Sequence, residues 1–541
     1  MTDPVEQELF RRVLDALLRE DHLGLSSGGG LDGPGWWQAP HHAGRLRLPV
    51  RPDGFRHAVR LARAELHVHP PGQAPARRVS TLAELLKVLA PHDDADAEQG
   101  WRAFIEECRQ DLLARRLATT TRSRTFAQVA AARVGTPTGF GGALLDDVLA
   151  AHAGHPVYPT DRCRHGLDGA ELLRYAPEHA AAFALRWLPV PARRLRLHGR
   201  LPAWWPAPRQ AGEVLLPVHP LTADRSALPV LDLPGSVVRP TLSMRTVALD
   251  SDPTTHLKLP LATATLGARN RRTLAPDSLT DGAAVAALLG RIAAEQPRFA
   301  GRILHADEST FGHCDDDELL SFLLRRLPAG LERATVVPVA ALAAADPTAG
   351  TVAQRIGGDD PTELLGSYLD LLLDWHVCLW LRYGVALEAH PQNIHLVLPV
   401  AGPVRLLYKD NDGARLDPRH AGTVRLRDQR MWIRHPGELV DMFVTITLHL
   451  AAAAPLIALA EQGVTVPSPA EALTPRLRVA RDRWGDTPAA RDLVDGVLTA
   501  DRLPVKAMLT AGTLLPKQRL GCTDVNKFYR RTGPNYLRSV S

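Results

Sequence analysis

The chain has 541 residues, 45% hydrophobic and 23% charged, the composition of a soluble globular protein with room for roughly three or four domain-sized units. Lys plus Arg (64) exceed Asp plus Glu (59) by five, but the surplus is scattered arginine with no basic run carrying interleaved aromatics. That pattern argues against nucleic-acid binding and leaves a small anionic substrate compatible. The five cysteines are far apart and form no CxxC pair, which argues against a disulfide framework or zinc knuckle and suits a reducing cytoplasm.

In chain order, residues 4–20 read as an amphipathic helix, with early acidic residues and none of the apolar stretch of a signal peptide. "LSSGGGLDGPGWWQAP" reads as a loop, "STLAELLKVLA" as a helix capped at Ser80, and 96–117 as a further helix. "GTPTGFGG" at 135–142 lacks the Lys and Ser/Thr of a phosphate loop and reads as a linker or turn at a domain boundary. From about 195 to 275, short apolar runs with polar alternation predict strands, and 280–298 returns to helix. Pro361–Tyr383 predicts a long apolar helix closed by Gly384 as its C′ residue. A hairpin then follows, with a turn at His390–Asn393 between two strands. The apolar stretch from Leu439 is interrupted by Asp441, His449 and Pro455 and reads as a buried core helix rather than a membrane span.

Three clusters carry chemistry. In "TLSMRT", Ser243 and Arg245 share one face if the segment is a strand, with Thr246 beside them. Lys258 lies on the next predicted strand and Arg269, Arg271 and Arg272 follow it, so hydroxyls and cations together make an anion clamp. In "GVALEAHPQNIHLVL", Glu388, His390 and Asn393 exceed what a turn requires, and "YKDND" places Asp410 and Asp412 after the following strand. A histidine and an amide facing a phosphate, with Asp410 and Glu388 or Asp412 for Mg²⁺, is an arrangement for nucleotide chemistry. By itself "YKDNDG" reads as an ordinary Asp/Asn/Gly turn. The loop "GHPVYPTDRCRHGL" at 154–167 offers His155, Arg162 and Arg164 to a polycarboxylate, or is simply a solvated loop. His41–His42 and His67-x-His69 lack further ligands at convincing metal spacing.

Together these stretches (GHPxxP…RxRxG, YAPE, VHP, SxRT, KxP…T…R, ExHxQN and a later Asp) resemble the NRPS-independent siderophore (NIS) synthetases, the aerobactin-synthetase-like family, from about residue 150 onward. The resemblance implies an α+β, cupped-hand fold: a mostly helical thumb (1–140), β-rich fingers (141–345) and a mixed palm with a helical C-terminal part (346–541). It implies a cytoplasmic ligase of iron acquisition that uses ATP and Mg²⁺ to adenylate citrate or a citrate-like acid. The acyl-adenylate is then condensed with an amine or hydroxyl, releasing AMP and pyrophosphate, and a homodimer is a further expectation. Carried over, Ser243, Arg245, Thr246, Lys258, Asn393 and Asp410 bind ATP; Glu388, Asp410 and Asp412 serve the metal. His155, Arg162, Arg164, Arg269, Arg271 and His390 hold the acid, and His390, Arg269 and Lys258 carry the chemistry. The family's loop histidine is Tyr158 here, its lysine Arg162, HPWQ is "HPLT" at 219–222, and TSxxR is "TLGAR" with Leu266 for Ser. A small-molecule kinase of the aminoglycoside-phosphotransferase type shares the offset from Glu388 to Asn393 and a later Asp. It would release ADP, but it leaves the SxRT/Lys pair unused and lacks its glycine-rich loop.

Overall fold

A computed structural model describes all residues except 1–2, 73–74, 136–137, 316, 423, 486, 523, 526 and 539–541. Asp3 caps the first helix, Pro4–Arg19, by accepting from the Val5 amide at 2.9 Å, and proline at the first position presets its φ. Its apolar face, Leu9, Phe10, Val13, Leu14 and Leu17, is fully buried against an antiparallel sheet. That six-stranded sheet (Gly30–Leu31, Trp36–His41, Gly44–Pro52, Leu66–His69, Arg77–Val79, with Val59–Leu61 on the far end of Gly44–Pro52) was not anticipated in a segment expected to be mostly helical. The last five residues of the expected loop at 25–40 belong to the strand Trp36–His41, where Trp37 lies under the sheet. The helix expected at 96–117 is longer, Ala95–Arg133, because no Gly or Pro interrupts it after Gly100.

The glycine-rich stretch at 135–142 is not a free linker. Gly139 opens the helix Gly139–Ala153 at a φ of 59° and donates its amide to Ala334 O at 2.8 Å, next to the strand Thr335–Pro338. The strands expected between 195 and 275 belong to one eight-stranded antiparallel sheet that runs from Phe183–Pro191 to Ser321–Arg326. Its centre pairs Leu231–Pro240 with Thr246–Leu249, then Thr255–Lys258, then Ser321–Arg326, with Asp307–Cys314 outside.

A separate four-stranded sheet orders Ile303–His305, Arg405–Tyr408, Ile394–Leu398 and Thr335–Pro338. Behind it the helix Thr362–Tyr383 ends as expected, Gly384 taking φ 61° and donating to Leu379 O and Trp380 O. That helix and Gly437–Glu461 are long and apolar enough to cross a membrane, but 78% and 89% of their most apolar windows are buried in the fold. They are core helices of the largest hydrophobic cluster.

The hairpin expected around His390–Asn393 does not form. Val385–Ala386 pairs with Arg415–Leu416, whereas Ile394–Leu398 pairs with Arg405–Tyr408 and Thr335–Pro338. The polar segment 388–393 is therefore a crossing between two sheets. Tight turns steer it, His390 N donating to Glu388 O at 3.0 Å and Asn393 N to His390 O at 2.7 Å.

Candidate active site

The central strands of the large sheet bring the first cations together. Thr246 and Lys258 are direct cross-strand partners, and Arg325 lies on the same face one strand further on. Lys258 is 2% exposed and donates to Asp410 Oδ2 at 2.6 Å and Asp412 Oδ2 at 3.0 Å. Burial alone would depress its pKa, but the two aspartates outweigh burial and hold it above the ordinary lysine value. Arg325 donates from Nε to Glu308 Oε1 at 2.8 Å and lies 3.4 Å from Asp410. Burial would raise Asp410, yet Lys258 and Arg325 hold it far below the carboxylate range, while burial and Asp410 push Asp412 up. Burial also lifts Glu308 to about 7 against the pull of Arg325.

Ser243 and Arg245 are not on a strand. They occupy the turn between Leu231–Pro240 and Thr246–Leu249, where Met244 takes a φ of 61° and Arg245 N donates to Ser243 O at 2.7 Å. The turn gathers what a strand would have gathered. Thr246 N donates to Ser243 Oγ at 3.3 Å, and Arg245 reaches Thr273 O at 2.7 Å with Asp412 and Asp410 as its opposing charges.

The crossing segment adds Glu388, His390 and Asn393. Glu388 accepts from Lys506 Nζ at 3.0 Å and Lys527 Nζ at 2.8 Å; these lysines overcome its burial and keep it ionised. Gly413 is required beside it, since a Cβ there would meet Glu388 Oε2 at 2.3 Å. Lys409 N donates to Asn393 O at 3.0 Å, which sets Asn393 beside Asp410. Burial lowers the His390 pKa to about 4, so the imidazole is neutral at pH 7, with Glu388, Lys506, Asp410 and Arg272 as its charged neighbours.

Of the arginines after Lys258, the structure turns Arg272 into this cluster. Arg272 bonds Thr265 Oγ1, and burial with the like charges of Arg245 and Arg164 depresses it to about 9. Arg269, expected to face the acid, instead gives its amide to Gly512 O at 2.9 Å and its guanidinium to Thr513 O; Arg271 is exposed. The physical reason lies in "TLGAR". Leu266 packs against the thumb core at φ 54°, and a Cβ on Gly267 would meet Gly512 Cα at 2.7 Å, so the loop tip docks on 510–514 and carries Arg269 with it.

The loop at 154–167 divides its residues. Arg164 joins the cluster as a neighbour of Arg272 and lies 4.0 Å from Glu178 of "YAPEH". His155 Nδ1 accepts from Tyr158 N at 3.0 Å, and burial lowers its pKa to about 3 with His390 among its neighbours. Arg162 turns away, donating to His152 O and, from its backbone, to Asp111 at 2.8 Å. Tyr158 is a core residue whose hydroxyl donates to Glu107 at 2.6 Å. In "HPLT", Thr222 donates to Pro260 O at 2.8 Å and so fixes the backbone just after Lys258.

Sequence reading missed Arg325, Glu308 and Lys527. "SFLLRR" gives no sign that Arg325 is buried and Arg326 exposed; only the pairing of strands decides it. Among the described residues no group of three or more His, Cys, Asp or Glu is disposed to hold a metal, and Glu388 is taken up by two lysines. The adjacent Asp410 and Asp412 still fit Mg²⁺, which takes one or two protein carboxylates and fills its octahedron with phosphate and water oxygens.

Residues 149–344 match the protein-family model described as the IucA / IucC family, and residues 362–518 one described as a ferric iron reductase FhuF-like transporter. The second match includes only one cysteine, the buried Cys378. The chain is 27% identical over 409 residues to the uncharacterized protein y4xN of Sinorhizobium fredii (strain NBRC 101917 / NGR234), covering 64% of each. It is 29% identical over 314 residues to the rhizobactin siderophore biosynthesis protein RhbC of Rhizobium meliloti (strain 1021), covering 48% of this chain and 52% of that one. The chain thus spans 64% and 52% of these two relatives. Its fold is similar to that of aerobactin synthetase IucC from a hypervirulent pathotype of Klebsiella pneumoniae (TM-score 0.69, 19% identity, 92% of this chain and 94% of that one). The ATP-bound aerobactin synthetase IucA from the same source gives TM-score 0.68 at 19% identity over 98% and 100% of the two chains. Petrobactin biosynthesis protein AsbB from Bacillus anthracis str. Sterne gives 0.74 at 15% over 98% and 95%. The family match over residues 149–344, the ordered motifs and these similar folds together support an NRPS-independent siderophore (NIS) synthetase of the IucA / IucC kind.

Proposed function

We propose that the protein is an ATP-dependent ligase that adenylates a carboxylate of citrate or a citrate-like acid and condenses it with an amine or hydroxyl, releasing AMP and pyrophosphate. The observation that carries this reading is the run of buried and half-buried cations, Lys258, Arg325, Arg245, Arg272 and Arg164, that leads to a neutral imidazole. Attack of a carboxylate oxygen on the α-phosphorus brings two anions together and breaks the bond to pyrophosphate. The site must neutralise both anions at once, and preorganised donors do so without reorganisation. Ser243, Arg245, Thr246 and Lys258 address the phosphates, Asn393 and His390 the α-phosphate, and Arg164, Arg272 and His155 the acid. Asp410 and Asp412 would hold Mg²⁺, which supplies charge neutralisation on the phosphates. In the second step the nucleophile attacks the acyl carbon and AMP leaves; Glu388 with Lys506 and Lys527 lies beside this point. Residues 1–140, 141–345 and 346–541 serve as thumb, fingers and palm, and a cytoplasmic homodimer suits the reading.

The test is nucleotide product analysis with ATP, Mg²⁺, citrate and hydroxylamine as surrogate nucleophile. AMP with a citrate-dependent hydroxamate is expected; ADP would replace this reading with a kinase, and AMP with another acid alone would keep the chemistry and change the substrate.

Two further results are expected. Arg272→Ala should lower kcat/KM for the acid by about 10²-fold, the loss of a charge-stabilising donor, with Arg272→Lys recovering part of it. Arg269→Ala, whose guanidinium is spent on a backbone carbonyl, should change it by less than about threefold. Steady-state kinetics in acid and in ATP decide between the two arginines. The rate should also show no acidic limb at the ordinary histidine pKa of about 6.5. His390 is active as the neutral form and its pKa is about 4, so activity falls only as pH approaches that value from above. A limb near 6.5 that His390→Gln removes would reverse this assignment.

A further inference from the structure

Away from the cation cluster, a cavity of about 300 Å³ opens between the first helix, the strand pair Gly44–Pro52/Val59–Leu61 and the outer side of the loop at 154–162. Six arginines line it: Arg11, Arg12, Arg19, Arg51, Arg56 and Arg60. Three carboxyls share the lining, Glu8, Asp15 and Glu461, and Asp53 and Asp161 pair with its arginines from behind; burial pushes Asp15 up to about 7, so it carries only part of a charge in neutral solution.

The surplus is concentrated in two side chains. Arg19 is 4% exposed, gives one N–H to Lys506 O at 3.1 Å, and has no carboxylate at ion-pair distance among the described residues. Its neighbour Glu20 is its main opposing charge but forms no ion pair with it, giving its oxygens to Leu509 N and to Thr510 at 2.8–3.0 Å. Arg51 stands exposed at the mouth with no ion pair or side-chain hydrogen bond among the described residues. The other four are tied: Arg11 to Glu8, Arg12 to Asp161 and to His155 O, and Arg56 and Arg60 to Asp53 and Glu461. A buried guanidinium with no carboxylate in contact is costly, and an arriving anion lowers that cost.

We propose that this cavity binds a small oxyanion of two or three charges, bearing phosphate or carboxylate groups, at a site separate from the catalytic one. The volume suits a diphosphate or a tricarboxylate, and guanidinium forks recognise the oxygens of either. Two contacts join the cavity to the catalytic cluster. Arg12 holds the carbonyls of His155 and Pro159, and Arg19 holds that of Lys506, whose ammonium pairs with Glu388. An anion drawing on these arginines acts on the two segments that flank His390.

Equilibrium binding to the full chain, with pyrophosphate in one arm and citrate in the other, tests this without turnover. The wild type is expected to show two classes of site for at least one of the probes, and the arm that does so names the source of the anion. Arg51→Ala breaks no contact and should weaken one class about tenfold, the loss of a charge-assisted hydrogen bond. Arg51→Ala/Arg60→Ala should abolish that class and leave the other, while His390→Ala/Arg272→Ala should do the converse. A single class in both arms, lost in His390→Ala/Arg272→Ala, would overturn the proposal, as would two classes unchanged in Arg51→Ala. AMP formation plays no part in the readout, so failure here leaves the proposed reaction standing.

Discussion

Replacing His390 by alanine is expected to lower acyl-adenylate formation by about 10²–10³-fold while the chain stays folded. The two halves of that expectation have separate grounds. The imidazole is half-buried, and among the described residues its ring makes no hydrogen bond within the protein, so its removal orphans no donor or acceptor. The backbone turns at 388–393 are closed by main-chain atoms, which alanine keeps. The loss therefore falls on the reaction. A neutral ring among Arg272, Lys506, Glu388 and Asp410 is poised to donate to an α-phosphate oxygen as negative charge gathers there. AMP and hydroxamate release, read beside the thermal unfolding midpoint, separate the outcomes. Retained product would remove His390 from the chemistry, and a collapsed midpoint would make it structural.

The α+β class, the core helices and the closing Gly384 were legible in the sequence because each rests on local rules: apolar periodicity, helix length and a C′ glycine. The sheet of the thumb was not, since its strands are short and sit among glycines and prolines that also spell a loop. The site was legible as a set of residue types and much less as geometry. Glu388, His390, Asn393, Asp410 and Lys258 do converge, but through a crossing between sheets, not a hairpin. "TLSMRT" works as a turn, where strand alternation was the wrong ruler. Arg272 displaced Arg269 because the loop tip at Leu266 and Gly267 docks on residues 510–514, more than 240 residues distant along the chain, which no local pattern records. Glu308 and Arg325 acquire meaning only when their strands pair.

Lys258→Met should be the most damaging single change, costing about 3 kcal/mol of stability and about 10³-fold in rate. Among the described residues the ammonium alone bonds both Asp410 and Asp412, and methionine fills its volume while removing the charge. Two buried carboxylates are then left facing each other beside Glu308, with Arg325 as their nearest cation. Asp412, already raised by burial and by Asp410, would take up a proton in the native state. A carboxyl whose folded pKa is raised stabilises the fold below that pKa, so the variant should regain stability as pH falls toward the unfolded aspartate value of about 3.9 and lose it as pH rises. Adding Asp412→Asn removes the unpaired charge and should restore most of the midpoint at pH 7, but not the rate, because the lysine that addresses the phosphates is still missing. Denaturation and AMP release on the single and double variants separate the two roles. A double variant that recovers activity along with stability would make Lys258 a strut for Asp410 and Asp412, and the phosphate contacts would pass to Arg245 and Arg325.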